Sequence, residues 1–322
     1  MLKIAYIFEL DNPYTFAAKT IAHGFRNAFI DRGDDCRFFD LKRLSGPLGF
    51  SDRWRLLRFR PDLIFISLEK IHLLPRKMNS DTKLVIWGQF YKPCDYEAQI
   101  HHLQPETKKL LQHLAARHDI LIWSQHDEVI NEEFFSGYTR ELGLKFAQLL
   151  HAADKSTYVP PPEEPPAYDF MWVGNISHRK DQYEAFITPL KALSDNYLNY
   201  SEFNKGKPDE IEKNRLYSKS AVIPSIHTSA QVHHGILVNE RVFTAPMQGG
   251  FQICDNPLAR KYFTAEELVI AETPQDFIEA FRYFTANPES RLPYISKMQD
   301  KVLKNHTYHH RIEKLLAMFG MT

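Results

Sequence analysis

The chain of 322 residues lacks most of the signatures that mark a catalytic domain. It has no GxGxxG turn for a dinucleotide, no GxxxxGK[ST] loop for a nucleoside triphosphate and no GxSxG nucleophile elbow. A D-x-D pair, which would hold a divalent cation against a diphosphate, is missing too. Only three cysteines are present, Cys36, Cys94 and Cys254. Their odd number and the lack of CxxC spacing argue against a zinc ribbon or a disulfide framework and fit a reducing cytoplasm. No run approaches the roughly 18–20 apolar residues of a spanning helix. Net charge is absent as well: 40 basic and 40 acidic residues cancel, so no large field exists to hold nucleic acid or an anionic membrane. The histidine-rich stretches HHLQPE (101–106), QVHHG (231–235) and NHTYHHR (305–311) lack the i, i+4 spacing with an acidic neighbour that a metal site would use. No bound metal is expected.

What is present is the grammar of an α/β protein. Hydrophobic content of 43% and charged content of 25% are those of a soluble globular chain. The length suits two domains better than one core. MLKIAYIFEL, at the start, runs directly into strand-like sequence and reads as a first strand, not a signal peptide. Short, continuously apolar runs follow at 36–41, 62–68, 83–89 and 119–125, with a helical pattern at 15–33 closed by Gly33. Runs apolar on both faces suit a parallel sheet covered by helices on both sides. The Arg-rich run DRWRLLRFRP (52–61) reads as a surface helix leading into the next strand.

Prolines then cluster in YVPPPEEPPAYDF (158–170), which can neither continue a helix nor enter a sheet. The pattern restarts beyond it, with strands at 169–175, 220–227 and 267–272 and helices at 179–194, 273–288 and 290–319. The expected division is a Rossmann-like domain over 1–157, a linker over 158–168 and a second Rossmann-like domain over 169–322. Two such halves would face a central cleft, with ligands at the carboxyl ends of the strands.

Without metal or nucleophile motifs, the chemistry left is that of backbone N–H groups and cations. In VGNISHRK (173–180) a strand ends at Gly174 and a helix starts beside Arg179 and Lys180, an arrangement that would receive a phosphate. The same residues also read as a tight βα turn with solvated charges. In NERVFTAPMQGGFQICDN (239–256), Asn239 reads as a helix N-cap and Gly249 as a left-handed stop. Arg241 in the first turn opposes the helix dipole, a conflict that an anionic ligand would remove. Solvation of Arg241, or pairing with Glu240 or Asp255, would remove it too.

DFMWVGNISHRKDQYEAFITPLKAL, NERVFTAPMQGGFQICDN and HTYHHRIEKLL occur in an order that resembles the CgeB-like, spore-maturation glycosyltransferases. The resemblance covers 169–318 and implies a GT-B architecture whose last helix crosses back to the first domain. It implies cytoplasmic transfer of a sugar from a nucleoside-diphosphate donor to a hydroxyl of a glycan, a lipid-linked molecule or a protein. Arginine, lysine and helix N-termini would stabilise the leaving group without a metal. Carried over by residue, Gly174 and Asn175 would lie against the donor, Arg179 or Lys180 near its phosphates, and Asn239 and Arg241 match the family's N-x-R, in which Arg241 would hold the diphosphate. Thr244 stands where such families commonly carry a ribose-binding glutamate, with Glu240 about one turn away as a substitute. An inverting enzyme would also need a general base. Among the strand-end candidates Glu9, Asp11, Glu69, His126 and Asp127, the positions of Asp11 and His126 are favoured. Nucleic acid is disfavoured as a partner, and peripheral contact with the inner face of a membrane stays compatible with the composition. A sugar-nucleotide epimerase and a degenerate, non-catalytic binding module are the alternative readings.

Overall fold

Six short strands, β1 (Lys3–Phe8), β2 (Asp35–Asp40), β3 (Leu63–Ser67), β4 (Lys83–Trp87), β5 (Ile120–Ser124) and β6 (Lys145–Gln148), form one parallel sheet in the order β2-β1-β3-β4-β5-β6. This is a computed structural model, and it describes residues 1–9, 16–45, 49–94, 102–200 and 210–321. The chain divides into two compact units, Met1–Leu150 with His309–Thr322, and His151–Tyr308.

In the first unit the central strands are apolar on both faces because helices cover both. Helix Phe16–Asp31 lays Ile21, Phe25, Ala28 and Phe29 onto the sheet, all buried. Phe25 and Phe29 meet Phe65 of β3, and Tyr6 of β1 stacks on Phe65 at 5.0 Å. Gly33 ends this helix at φ +87°, a left-handed conformation that glycine adopts without strain. The C-terminal helix Tyr308–Met318 is tied to this unit by Arg311, whose Nε donates to Leu150 O at 2.9 Å, and by Lys314 Nζ to Gln148 O at 2.9 Å.

The second unit holds β7 (Tyr168–Val173), β8 (Tyr197–Tyr200), β9 (Ser220–Ser225), β10 (Gln252–Cys254) and β11 (Val269–Ile270), parallel and in the order β11-β10-β9-β7-β8. Alternate residues of β7 feed two cores. Phe170 and Trp172 pack with Tyr183, Phe186 and Phe277, while Met171 and Val173 pack with Leu216, Tyr217 and Ala245. The helical stretch 180–193 is continuous but carries a π-helical turn at Tyr183–Ile187. The proline-rich stretch is pinned to this unit: Val159 N–H donates to Met247 O at 2.9 Å and Gln299 Nε2 to Val159 O at 2.7 Å.

Strands β6 and β8 escape the sequence pattern for one reason. Each is only four residues long and interrupted by polar residues, KFAQ and YLNY, so neither forms a continuous apolar run.

Helix Arg241–Met247 shows how a poor helix sequence is tolerated. Pro246 lies inside it and cannot donate to the carbonyl four residues back. That carbonyl, on Val242, accepts instead from the buried Gln252 Nε2 at 3.1 Å. Gly249 then closes the helix at φ +74°, with Gly250 N–H donating to Ala245 O at 2.9 Å.

Candidate functional site

Both sheets share one connectivity. The first strand of each unit lies between the second and the third, so the strand order reverses between β1 and β3 in one and between β7 and β9 in the other. Ligands of open α/β sheets bind outside the carboxyl ends at such switch points, because neighbouring loops diverge there.

At the β7/β9 switch point the cationic and amide side chains singled out in the sequence converge. Arg241 donates through Nη2 to Val173 O at the end of β7, and through Nη1 to Pro224 O in β9 at 3.4 Å. Arg179 Nη1 donates to Ile226 O at 2.8 Å, and Asn239 Nδ2 reaches the same carbonyl at 3.2 Å. The carboxyl-end carbonyls thus gather Arg179, Asn239 and Arg241 from segments far apart in sequence. The half-buried Arg241 is thus anchored on strand carbonyls, which offset its conflict with the helix dipole.

The expected N-cap is corrected. Glu240 occupies the N-cap position with helical dihedrals and no side-chain capping bond, while the Asn239 side chain is spent on Ile226 O. Asn239 N–H donates to His227 Nε2 at 2.9 Å, and His227 Nδ1 lies 2.6 Å from Asp255 Oδ1. The His227 and Asp255 side chains are 0% and 1% exposed, so this pair holds the approach to the helix from inside the core. Cys254 lies beside them, close enough for the three to be weighed as a metal-ligand cluster. Both His227 nitrogens are engaged, and burial holds the Cys254 thiol well above its ordinary range, so the trio satisfies itself with hydrogen bonds.

Gly174 has a packing reason of its own. A Cβ there would lie 2.6 Å from the Trp172 indole, which fills the core directly below. Asn175 caps the following 3-10 turn, its Oδ1 accepting from Ser177 N–H at 3.0 Å and Ser177 Oγ at 2.8 Å. Lys180 is exposed and sits 3.8 Å from Glu184 one turn on. Thr244 is buried in the helix, its N–H on Glu240 O at 3.0 Å.

The β1/β3 switch point of the first unit is a cavity of about 350 Å³. Its walls include Phe8, Trp87 and Trp123, with Glu9, Glu69, Lys70 and Gln89 among its polar groups. Trp87 stacks on Trp123 at 5.3 Å and is held by its Nε1–H on Gln125 Oε1 at 2.8 Å. Of the two favoured bases, Asp11 lies outside the described residues. His126 follows β5 but does not line the cavity. It lies 5.1 Å from the Phe90 ring and 5.4 Å from the Phe135 ring, with Ser124 Oγ at 2.7 Å from Nδ1. Burial pushes its pKa down to about 4. Glu9 and Glu69 do line the cavity, and Glu9 is 3.2 Å from Lys42. Asp127 caps helix Glu128–Phe134, its side chain accepting from Val129 N–H.

Sequence reasoning missed the His227–Asp255 pair and the aromatic cavity. The available signal was a polar residue just past each apolar strand, His227 two residues after β9 and Asp255 directly after β10.

Two parallel α/β sheets with flanking helices match solved glycosyltransferase structures of the GT-B class, so the fold is of that class. Residues 163–317 match the family described as glycosyl transferase-like. An alpha-glucosyltransferase in complex with UDP and a 13-mer DNA containing a HMU base is similar over 99% of both chains, with a TM-score of 0.62 at 11% identity. The beta-glucosyltransferase of T4 phage is similar over 99% of this chain and 98% of its own, with a TM-score of 0.58 at 13% identity. TarM of S. aureus is similar over 83% of this chain and 57% of its own, with a TM-score of 0.52 at 9% identity. No curated protein matches the chain in sequence. Among the described residues no helix is long and apolar enough to cross a membrane.

Proposed function

We propose that the protein transfers a sugar from a nucleoside-diphosphate donor to a hydroxyl acceptor, with the donor held by the second unit. One observation carries this reading: Arg179, Asn239 and Arg241 meet at the β7/β9 switch point, inside the stretch that matches the glycosyl transferase-like family. A guanidinium fixed on strand carbonyls is pre-organised, so it can meet the charge that grows on a departing diphosphate without first being ordered. Gly174, Asn175, Lys180, Glu240 and Thr244 complete the proposed donor surface. UDP is the first nucleotide to test, since it is bound in five of the similar structures.

The finer likeness to the CgeB-like group rests on the three ordered stretches and has the same expectation. Leaving-group stabilisation by arginine and lysine needs no divalent cation, so transfer persists when EDTA is added. The acceptor is assigned to the first unit, where the aromatic cavity and Glu9 or Glu69 suit a hydroxylated molecule. An apolar ring face and a carboxylate acceptor are complementary to a sugar's C–H face and its hydroxyls.

The test is a thermal-shift panel of UDP, GDP, CDP and TDP, followed by nucleotide release from the matching sugar donor. At least one diphosphate raises the melting temperature, and Arg241→Ala removes that shift. Absence of any shift across the panel overturns the reading. Thr244 favours a second reading, a nucleotide-sugar-binding protein without transfer, because a threonine cannot replace a carboxylate's paired acceptors. That protein would show the shift but release no nucleotide, and an epimerase would convert the donor with no acceptor present.

A further inference from the structure

We propose that Asp255 and His227 form a positioning pair that sets the Asn239–Arg241 corner for the donor diphosphate, a role that rests on the donor site proposed above. Asp255 accepts from the His227 backbone N–H through both oxygens, at 3.2 and 3.0 Å, and lies 2.6 Å from His227 Nδ1 through Oδ1. On the other side of the ring, Nε2 accepts the Asn239 N–H at 2.9 Å. A nitrogen that accepts a hydrogen bond carries no proton, so the ring is the Nδ1–H tautomer, and the carboxylate is what selects it. The two side chains are fully enclosed, at 0% and 1% exposure, so no water can replace either partner cheaply.

The pair joins three chain segments that meet at the switch point. It ties the loop after β9 and the end of β10 to the residue preceding helix Arg241–Met247. Asn239, held through its N–H, uses its own side chain on Ile226 O, the carbonyl that Arg179 also occupies. Arg241 follows two residues later, on Val173 O and Pro224 O. A tautomer change at His227 would therefore bring Nε2–H against Asn239 N–H and displace the corner that carries both arginine contacts.

The pair touches no reacting atom in this scheme; it acts through Asn239. Asp255→Asn is the critical variant, because its amide can present N–H to Nδ1 and invert the tautomer while filling the same volume. We expect it to weaken UDP binding, or binding of whichever diphosphate stabilises the wild type, by about tenfold or more, and to raise the donor KM more than it lowers kcat. Two further readouts separate positioning from plain stability. In ¹⁵N spectra the His227 Nε2 of the wild type is unprotonated, and in Asp255→Asn it carries the proton. In a double-mutant cycle the losses from Asp255→Asn and Asn239→Ala are less than additive, since both act on one corner. Unchanged diphosphate affinity in a folded Asp255→Asn protein overturns the inference, as does a wild-type His227 protonated at Nε2. If Asp255→Asn does not fold, His227→Gln in the same binding assay and the wild-type tautomer measurement decide. A wild type that binds no diphosphate overturns the donor-site reading itself, a result distinguishable from failure of the pair.

Discussion

The two switch points are built alike and furnished in opposite ways. In the second unit the carboxyl ends of β7 and β9 collect two guanidinium groups and an amide, each anchored on a main-chain carbonyl. In the first unit the equivalent ends of β1 and β3 open into an aromatic cavity with carboxylates at its edge. One topology thus supplies a cationic corner and an aromatic hollow with charges of both signs at its rim. Connectivity decides where a ligand goes, and the side chains at the strand ends decide what it is.

Removing the cation from the second site tests the contrast most severely. Arg241→Ala lowers kcat/KM for the sugar donor by about 10²–10³-fold, the loss usual for one pre-organised oxyanion-type donor. Steady-state kinetics with a saturating acceptor measure it, and an effect below tenfold would move the diphosphate away from this corner.

Acid stability probes the first unit next. The His126 pKa falls from 6.5 to about 4 because burial penalises the charged ring. Between those values the unfolded chain binds the proton and the folded chain does not, so stability is full above about pH 6.5 and declines as the pH drops towards 4. The loss reaches up to about 3 kcal/mol at 1.36 kcal/mol per unit. Urea unfolding at pH 7 and pH 4.5 measures it, and in His126→Gln that part of the decline disappears.

A packing change in the second unit comes third. Gly174→Ala drives a methyl to 2.6 Å from the Trp172 ring. Overpacking of this kind costs about 1–3 kcal/mol, read from the urea midpoint. If Gly174→Ala left stability intact but weakened diphosphate binding, the glycine would serve ligand approach instead of packing. The smallest effect belongs to Lys180, whose ammonium is exposed near Glu184. Lys180→Ala changes stability by less than about 0.5 kcal/mol. It also lowers diphosphate affinity less than Arg241→Ala, and calorimetric titration of the two variants ranks them.

Much of the fold could be read from the chain because parallel sheets covered on both faces demand continuous apolar runs. β1, β3, β4, β5, β7 and β9 all stand where such runs stand, and Gly33 and Gly249 end their helices at positive φ as the pattern requires. The short strands β6 and β8 were not legible, since four residues interrupted by polar side chains leave no apolar run to see. At the site, Arg179, Asn239 and Arg241 could be picked out as unusual near strand ends. Their partners could not, because Val173, Pro224 and Ile226 act through carbonyl oxygens, which every residue has.

Sequence alone therefore determined the α/β class with its parallel sheets and singled out cations and amides near strand ends, since these follow from apolar period and residue chemistry. The tertiary structure decided the rest. It moved Asn239 from helix cap to strand-end anchor, and it drew Arg241 away from Glu240 and Asp255 onto two carbonyls. It also paired His227 with Asp255, 28 residues apart, in the buried core. Those choices depend on which strand ends become neighbours, and strand order is a property of the folded sheet.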